Sequence, residues 1–237
     1  MLGKLFAPMA TRCLTDMDLL WQPLLLSMQL AGVTTIILVV VATPIAWWLS
    51  QADSSWKPLV QTTVALPIVL PPTVLGFYLL VVLGPAGALG GWWVKLTGSA
   101  LTFSFTGLVI ASCIYSLPFA VQPLTAAFES LGKQKLEAAW TLGASRTDAF
   151  FSVAVPLSIR GYLGAVVLSF AHTLGEFGVV LMVGGNIPGE TRVVSIAIYD
   201  QVESLNYAAA HQLSALLLVV AFIALFAMFF VNRRWQR

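Results

Sequence analysis

Four long stretches of this chain, residues 19–52, 58–94, 96–128 and 204–232, contain no Asp, Glu, Lys or Arg. A fifth, 161–189, is interrupted by Glu176 and also carries His172. Each exceeds the roughly 20 residues that take a helix across the hydrocarbon of a bilayer. The pattern predicts helices near residues 24–49, 59–83, 105–128, 162–183 and 212–231. The predicted fold is an all-α integral membrane protein with about five transmembrane helices, and an odd number places the two termini on opposite faces. Residues 1–20 read as an N-terminal polar segment and 21–237 as one transmembrane domain, because no internal repeat or low-complexity linker divides them.

Composition sharpens the class. With 59% hydrophobic and 9% charged residues and a mean hydropathy of +0.90, the chain lies far from soluble domains, where about 25% charged residues is usual. A net charge of +2 from scattered cations gives no basic patch and argues against a nucleic-acid partner. Cys13 and Cys113 share no redox or metal-type spacing. No cluster of His, Cys or carboxylates has metal-ligand spacing, so neither a metal nor another cofactor is expected. Lys4, Arg12, Asp16 and Asp18 precede the first apolar run, which is not the layout of a cleaved leader, and the first span is expected to be retained.

Lys and Arg beside a span tend to stay in the cytoplasm. Placing the C-terminus inside gathers Lys57, Lys133, Lys135, Arg146, Arg160, Arg233, Arg234 and Arg237 there, and leaves Lys4, Arg12, Lys95 and Arg192 outside. The expected orientation is therefore N-terminus out and C-terminus in. It also puts Glu190, Asp200 and Glu203 on the outer side, and a polar loop, 129–160, in the cytoplasm.

That loop is the main polar island between the spans. Residues 133–142 are good helix formers, with Leu136, Ala139, Trp140 and Gly143 at helical spacing between polar Lys133, Gln134, Glu137 and Thr141. Gly143 is placed to end this amphipathic helix. Ser145 followed by Asp148 reads as a capping box that opens a second helix into Phe150 and Phe151. Pro156 is expected to break it before the next span begins at Tyr162. Such a pair of helices either couples to another protein or is an interfacial connection between two spans.

Glu137-Ala138-Ala139, then Gly143 after three intervening residues, then Val153-Ala154-Val155-Pro156 after nine more, resemble the signature loop of the membrane subunits of ABC importers. The family's ending is Ile-x-Leu-Pro, and Val here replaces both Ile and Leu. The resemblance implies that Glu137 pairs with a group in a groove on an ATPase, that Ala138 and Ala139 permit close approach, and that Gly143 turns the chain between the two helices.

Further stretches narrow the family. Leu66 to Val74, with Pro67, Pro71, Pro72 and Thr73, then His172-Thr173-Leu174-Gly175-Glu176-Phe177-Gly178, then Gly185 to Arg192 with Asn186, resemble the molybdate permease subunits of the binding-protein-dependent oxyanion importers. The likeness runs from about Trp21 to the C-terminus; sulfate and tungstate permeases are near relatives. It implies a homodimer around the pathway, two ATP-binding subunits on the cytoplasmic loops, an outer molybdate-binding protein, and residence in a bacterial inner membrane. No Gly-x-x-x-x-Gly-Lys-Ser/Thr loop is present, and Gly84 to Gly91 lacks a following Lys-Ser. The chain is expected to be a permease and not itself an enzyme.

The residues leave other points open. Prolines within a span are tolerated where a cavity or neighbouring protein satisfies the freed carbonyls, so Pro71 and Pro72 mark either the pathway or a static kink. Glu176 is a structural carboxyl bonded to nearby hydroxyls or backbone, with His172 one turn earlier as a partner, or one half of a proton relay with it. Thr73, Ser112, Ser116, Ser169, Thr173 and Asn186 are candidates for lining an oxyanion path with neutral donors, or helix-packing contacts. A proton-coupled secondary transporter and a purely structural subunit are the rival classes.

Overall fold

The computed structural model describes residues 9–234; Lys4 and Arg237, whose charges entered the orientation, lie outside them, as do the first eight residues of the N-terminal segment. The described residues form α1 (Met9–Gln51), α2 (Lys57–Val69), α3 (Pro72–Leu83), α4 (Ala88–Thr97), α5 (Phe105–Ser130), α6 (Lys133–Thr141) and α7 (Arg146–Ala149). A π turn (Phe150–Ala154) and α8 (Val155–Leu157) lead into α9 (Ile159–Gly175), followed by α10 (Gly178–Gly184), α11 (Val194–Glu203) and α12 (Tyr207–Arg234). Three helices are long and apolar enough to cross a membrane, or up to five if each of two bent pairs counts as one span. The five-span expectation matches the upper reading. Residues 9–20, expected as a separate polar segment, continue α1 without a break.

Two expected single helices are broken. Residues 59–83 divide into α2 and α3, which meet at 112°. The cause is local: Leu70 and Pro71 each precede a proline and adopt extended ψ values of 137° and 136°, because the following ring excludes the helical region. Residues 162–183 divide at Glu176, whose ψ of 138° takes it off the end of α9. The Ser195 hydroxyl on α11 donates to the freed Glu176 carbonyl at 2.5 Å.

Pro156 does not end its helix, as expected, before a span at Tyr162. It sits inside α8, and the 69° bend falls at Ser158, with α9 beginning at Ile159. A proline ring presses on the carbonyl four residues back. Here the preceding turn has widened, with the Val155 N–H bonded to the Phe150 carbonyl five residues earlier, so the ring is accommodated.

Helices α1, α5 and α9 pack against one another at the centre. Gly161 makes the closest crossing: a Cβ there would strike the Ala127 methyl on α5. Leu38, Ala42, Ala46 and Leu49 of α1 meet Ala120, Val121, Leu124 and Phe128 of α5, and the same core reaches Leu136 of α6 and Ala149 of α7. At the other end, Val179, Val180 and Val183 of α10 are fully buried among α3 and α5. Ser27 of α1 caps α11 across the fold by accepting from the Val194 N–H at 2.8 Å.

Candidate functional site

The loop between α5 and α9 is built by local signals. Gly132, at φ +70°, precedes α6. At the other end Gly143 takes φ +89°. The Ala144 N–H bonds the Ala139 carbonyl at 3.0 Å and the Gly143 N–H bonds the Trp140 carbonyl at 2.9 Å. This is a Schellman closure, which needs the left-handed residue that glycine supplies. The Ser145 hydroxyl then accepts from the Asp148 N–H at 3.1 Å and starts α7, as the capping pattern predicts.

Leu136 is 1% exposed and anchors α6 inward, with Ala139 packed beside it. Glu137 and Ala138 face outward. Trp140, expected on the apolar face, is instead half-exposed, and Leu142 is 88% exposed. The outer face of α6 therefore presents the Glu137 carboxylate and the Ala138 methyl beside Lys133, Gln134, Lys135 and Thr141, with Trp140 and Leu142 as uncovered apolar groups. Phe151 in the π turn and Leu157 in α8 extend the apolar surface, and Pro156 lies exposed between them.

An aromatic cluster fastens this loop to the spans. Trp47 of α1 lies 5.3 Å from Phe128 of α5 and 5.0 Å from Phe150 of the π turn, ring centre to ring centre. Phe128 also contacts Tyr162 of α9 at 6.1 Å. Lys57–Glu129 and Lys133–Asp53, each at 3.7 Å, tie the ends of α2, α5 and α6 together. These rings join the π turn that follows α7 to α1, α5 and α9. The sequence held all four aromatic residues, but nothing in their spacing announced that they meet.

The second group of candidates lies at the break after α9. Glu176 is 5% exposed. Its carboxyl lies beside the Ser112 hydroxyl, but neither reaches hydrogen-bond geometry. His172 is not its partner: the imidazole Nδ1 sits 2.9 Å from the Ser116 Oγ, and the ring stacks on Phe119 at 3.9 Å. The expected pairing one turn apart fails because Glu176 has left the helix. The Thr173 hydroxyl joins Ser116 at 3.0 Å. Ser112, Ser116, Ser169 and Thr173 are closed between helices of the same protomer.

Pro71, Pro72 and Thr73 are exposed at the α2–α3 bend. The bend and the break touch, since a Cβ on Gly178 would come within 2.6 Å of Pro72 and one on Gly76 within 2.8 Å of Met182. Asn186 is half-buried in an ionic triad: its amide donates to both Asp200 carboxylate oxygens at 2.8 Å, and its carbonyl accepts from Arg192 Nε at 2.6 Å. Arg192 meets Asp200 directly at 3.3 Å. Among the described residues no group of three or more His, Cys, Asp or Glu is placed to hold a metal.

Comparison with known proteins gives these sites a context. The family described as "Binding-protein-dependent transport system inner membrane component" matches residues 31–237. The chain is 53% identical over 88% of its length to the "Molybdenum transport system permease protein ModB" of Azotobacter vinelandii, covering 92% of that protein. It is 36% identical to the Escherichia coli (strain K12) protein of the same name, with 81% and 82% of the two chains covered. It is 32% identical to the "Sulfate transport system permease protein CysT" of Escherichia coli (strain K12), with 81% and 69% covered. Among solved structures, a bacterial alginate ABC transporter in complex with alginate pentasaccharide-bound periplasmic protein matches with a TM-score of 0.73 at 17% identity, covering 91% of this chain and 79% of that one. The inward-facing MetNI methionine ABC transporter matches with a TM-score of 0.72 at 15% identity, covering 93% and 98%. At such identities the structural likeness is one of fold.

Proposed function

The chain belongs to the family of binding-protein-dependent transport system inner membrane components, and on that premise we propose that it is the permease subunit of an ATP-driven importer that brings molybdate into the cytoplasm. The observation that carries the coupling role is the surface at Glu137, Ala138 and Leu142, exposed outside and fastened inside to α1, α5 and α9 by Leu136 and the Trp47–Phe128–Phe150 rings. A groove on an ATP-binding subunit takes Leu142 and Trp140 into apolar contact and pairs Glu137 with a cation, while Gly143 and Pro156 fix the path of the loop. Molybdate is favoured as cargo by the 53% identity to a molybdenum permease against 32% to a sulfate permease; tungstate and sulfate are the alternatives.

In this reading two copies of the chain form the pathway, two ATP-binding subunits occupy the two loops, and an outer binding protein delivers the anion. ATP binding closes the ATPase pair, moves the two loops together and shifts the pathway between inward-facing and outward-facing states. That shift requires the nucleotide to favour one arrangement over the other. The permease domain begins near residue 21, the N-terminus is outside and the C-terminus inside. Neutralisation of outer Arg192 by Asp200 supports the orientation, since a paired cation weakens its pull to the cytoplasm. The bend at Pro71, Pro72 and Thr73, packed on the break at Thr173 and Glu176, is the proposed gate region, with Asn186 bracing its outer side. A proton relay loses support because His172 is turned to Ser116.

The test is reconstitution of the chain with its ATP-binding subunit and binding protein in liposomes, following molybdate-stimulated ATP hydrolysis and uptake. Glu137→Arg and Gly143→Pro are expected to abolish both while leaving an inserted dimer. Uptake without any ATPase, or undiminished in both variants, would sink the reading.

A further inference from the structure

A cavity of about 270 Å³ opens between α1, α2 and α5, lined by Leu49, Val64 and Val121 on its apolar walls and by Gln61, Gln122 and Thr125 on its polar side. Gln61 lies one helical turn from Lys57, and Gln122 about two turns from Glu129, which on the permease reading sets both amides just inside the cytoplasmic ends of their spans. Both are exposed on the protomer. Hydrocarbon offers such amides no partner, so an exposed pair belongs against protein or a water-lined path.

The chemistry of that face is selective. The hydroxyls of Thr62, Thr63 and Thr125 donate to the carbonyls of Pro58, Leu59 and Val121. Of these, Thr125 lines the cavity, and with its proton engaged the amide N–H groups of Gln61 and Gln122 are the side-chain donors among the lining residues. The one carboxylate on the cavity wall, Glu129, is bridged by Lys57 at 3.7 Å, so its charge is balanced at the rim.

We infer that Gln61 and Gln122 form a neutral-donor transit site for the tetrahedral oxyanion at the inner mouth of the pathway. The inference rests on the permease reading above and adds the residues that handle the cargo. Uncharged amides hold an oxyanion through N–H donation and release it readily, where a free Lys or Arg would capture it and slow conduction. At the rim, Lys57 and Glu129 are paired with each other at 3.7 Å, so the cation and the carboxylate nearest the site offset one another.

The test uses the reconstituted complex carrying Cys13→Ser and Cys113→Ala, with Gln61→Cys or Gln122→Cys added. A membrane-impermeant anionic thiosulfonate is expected to modify either new thiol, and molybdate at about four times its dissociation constant to slow the reaction about fivefold by occupying the site. Reaction with a lipid-soluble maleimide alone, or modification indifferent to every oxyanion tried, overturns the site. Independently, the Gln61→Leu/Gln122→Leu double variant should lower uptake per ATP hydrolysed about fivefold, and Gln122→Glu about tenfold through like-charge repulsion. An unchanged ratio in both overturns it. Should the native complex carry sulfate instead of molybdate, sulfate would protect the thiols; the cargo reading then fails while the transit site stands.

Discussion

The loop between α5 and α9 and the break after α9 are both polar interruptions of an apolar chain, yet they are assembled in opposite ways. The loop is a sequence of local devices: a Schellman closure at Gly143 and a serine cap at Ser145, each made within a few residues. Its polar groups face outward. The break turns its one carboxyl inward, where Glu176 is 5% exposed, and is held by partners far away in sequence, Ser195 for its carbonyl and Ser116 for the preceding imidazole. A surface whose polar groups face outward can be specified locally, because water satisfies them. A polar group inside the membrane needs neighbours from other helices, because hydrocarbon satisfies nothing.

Substitutions can break or sharpen that contrast. The largest effect is expected where the loop meets the spans, at Phe128, which is 1% exposed and touches Trp47, Phe150 and Tyr162. Phe128→Ala should cost about 4 kcal/mol, read as a lowered unfolding midpoint of the purified complex, together with weaker coupling of ATP hydrolysis to uptake. Glu176→Lys comes next, with a loss of about 3 kcal/mol for a fixed charge in the closed interior and poor recovery of folded protein from membranes. Glu176→Gln should be recovered normally; normal recovery of the lysine variant would show that the break is wetter than its packing implies.

Gly143→Val is expected to cost about 2 kcal/mol, because a branched residue is driven into the left-handed region. Its signature is a loss of ATP-binding subunit on co-purification, larger than the loss of thermal stability. Ser145→Ala removes the cap of α7 and should cost about 1 kcal/mol, with Ser145→Asp restoring it. The smallest effect belongs to Asp200→Asn, about 0.5 kcal/mol, since Asn186 and Arg192 remain partly solvated; the expected readout is a slight fall in the unfolding midpoint with uptake retained.

The features legible in the sequence share a short range. The apolar runs marked α1, α5 and α12, and the glycine and serine of the loop marked where α6 ends and α7 begins. The bends were less legible. Pro71 and Pro72 mark an interruption in the sequence, but a run of apolar residues carries no sign of a 112° turn. At Pro156 the expected break was moved to Ser158 by the widened turn before it, a backbone adjustment with no compositional signature. Glu176 and His172 have the spacing of partners on a helix, and they part because α9 stops between them. Gln61 and Gln122 have no sequence signature, because they share a cavity only through α2 and α5 lying side by side.

By itself the sequence determined that the chain crosses a membrane, roughly how often, and where its polar loop lies. Those properties depend on hydropathy and on hydrogen bonds closed within one or two turns, so neighbouring residues suffice to specify them. The tertiary structure decided which hydroxyls are sealed inside the protomer, which aromatic rings link the loop to α1, α5 and α9, and that Arg192 finds Asp200 through Asn186. Each of these joins groups on different elements, and the geometry that brings them together exists once the helices have packed.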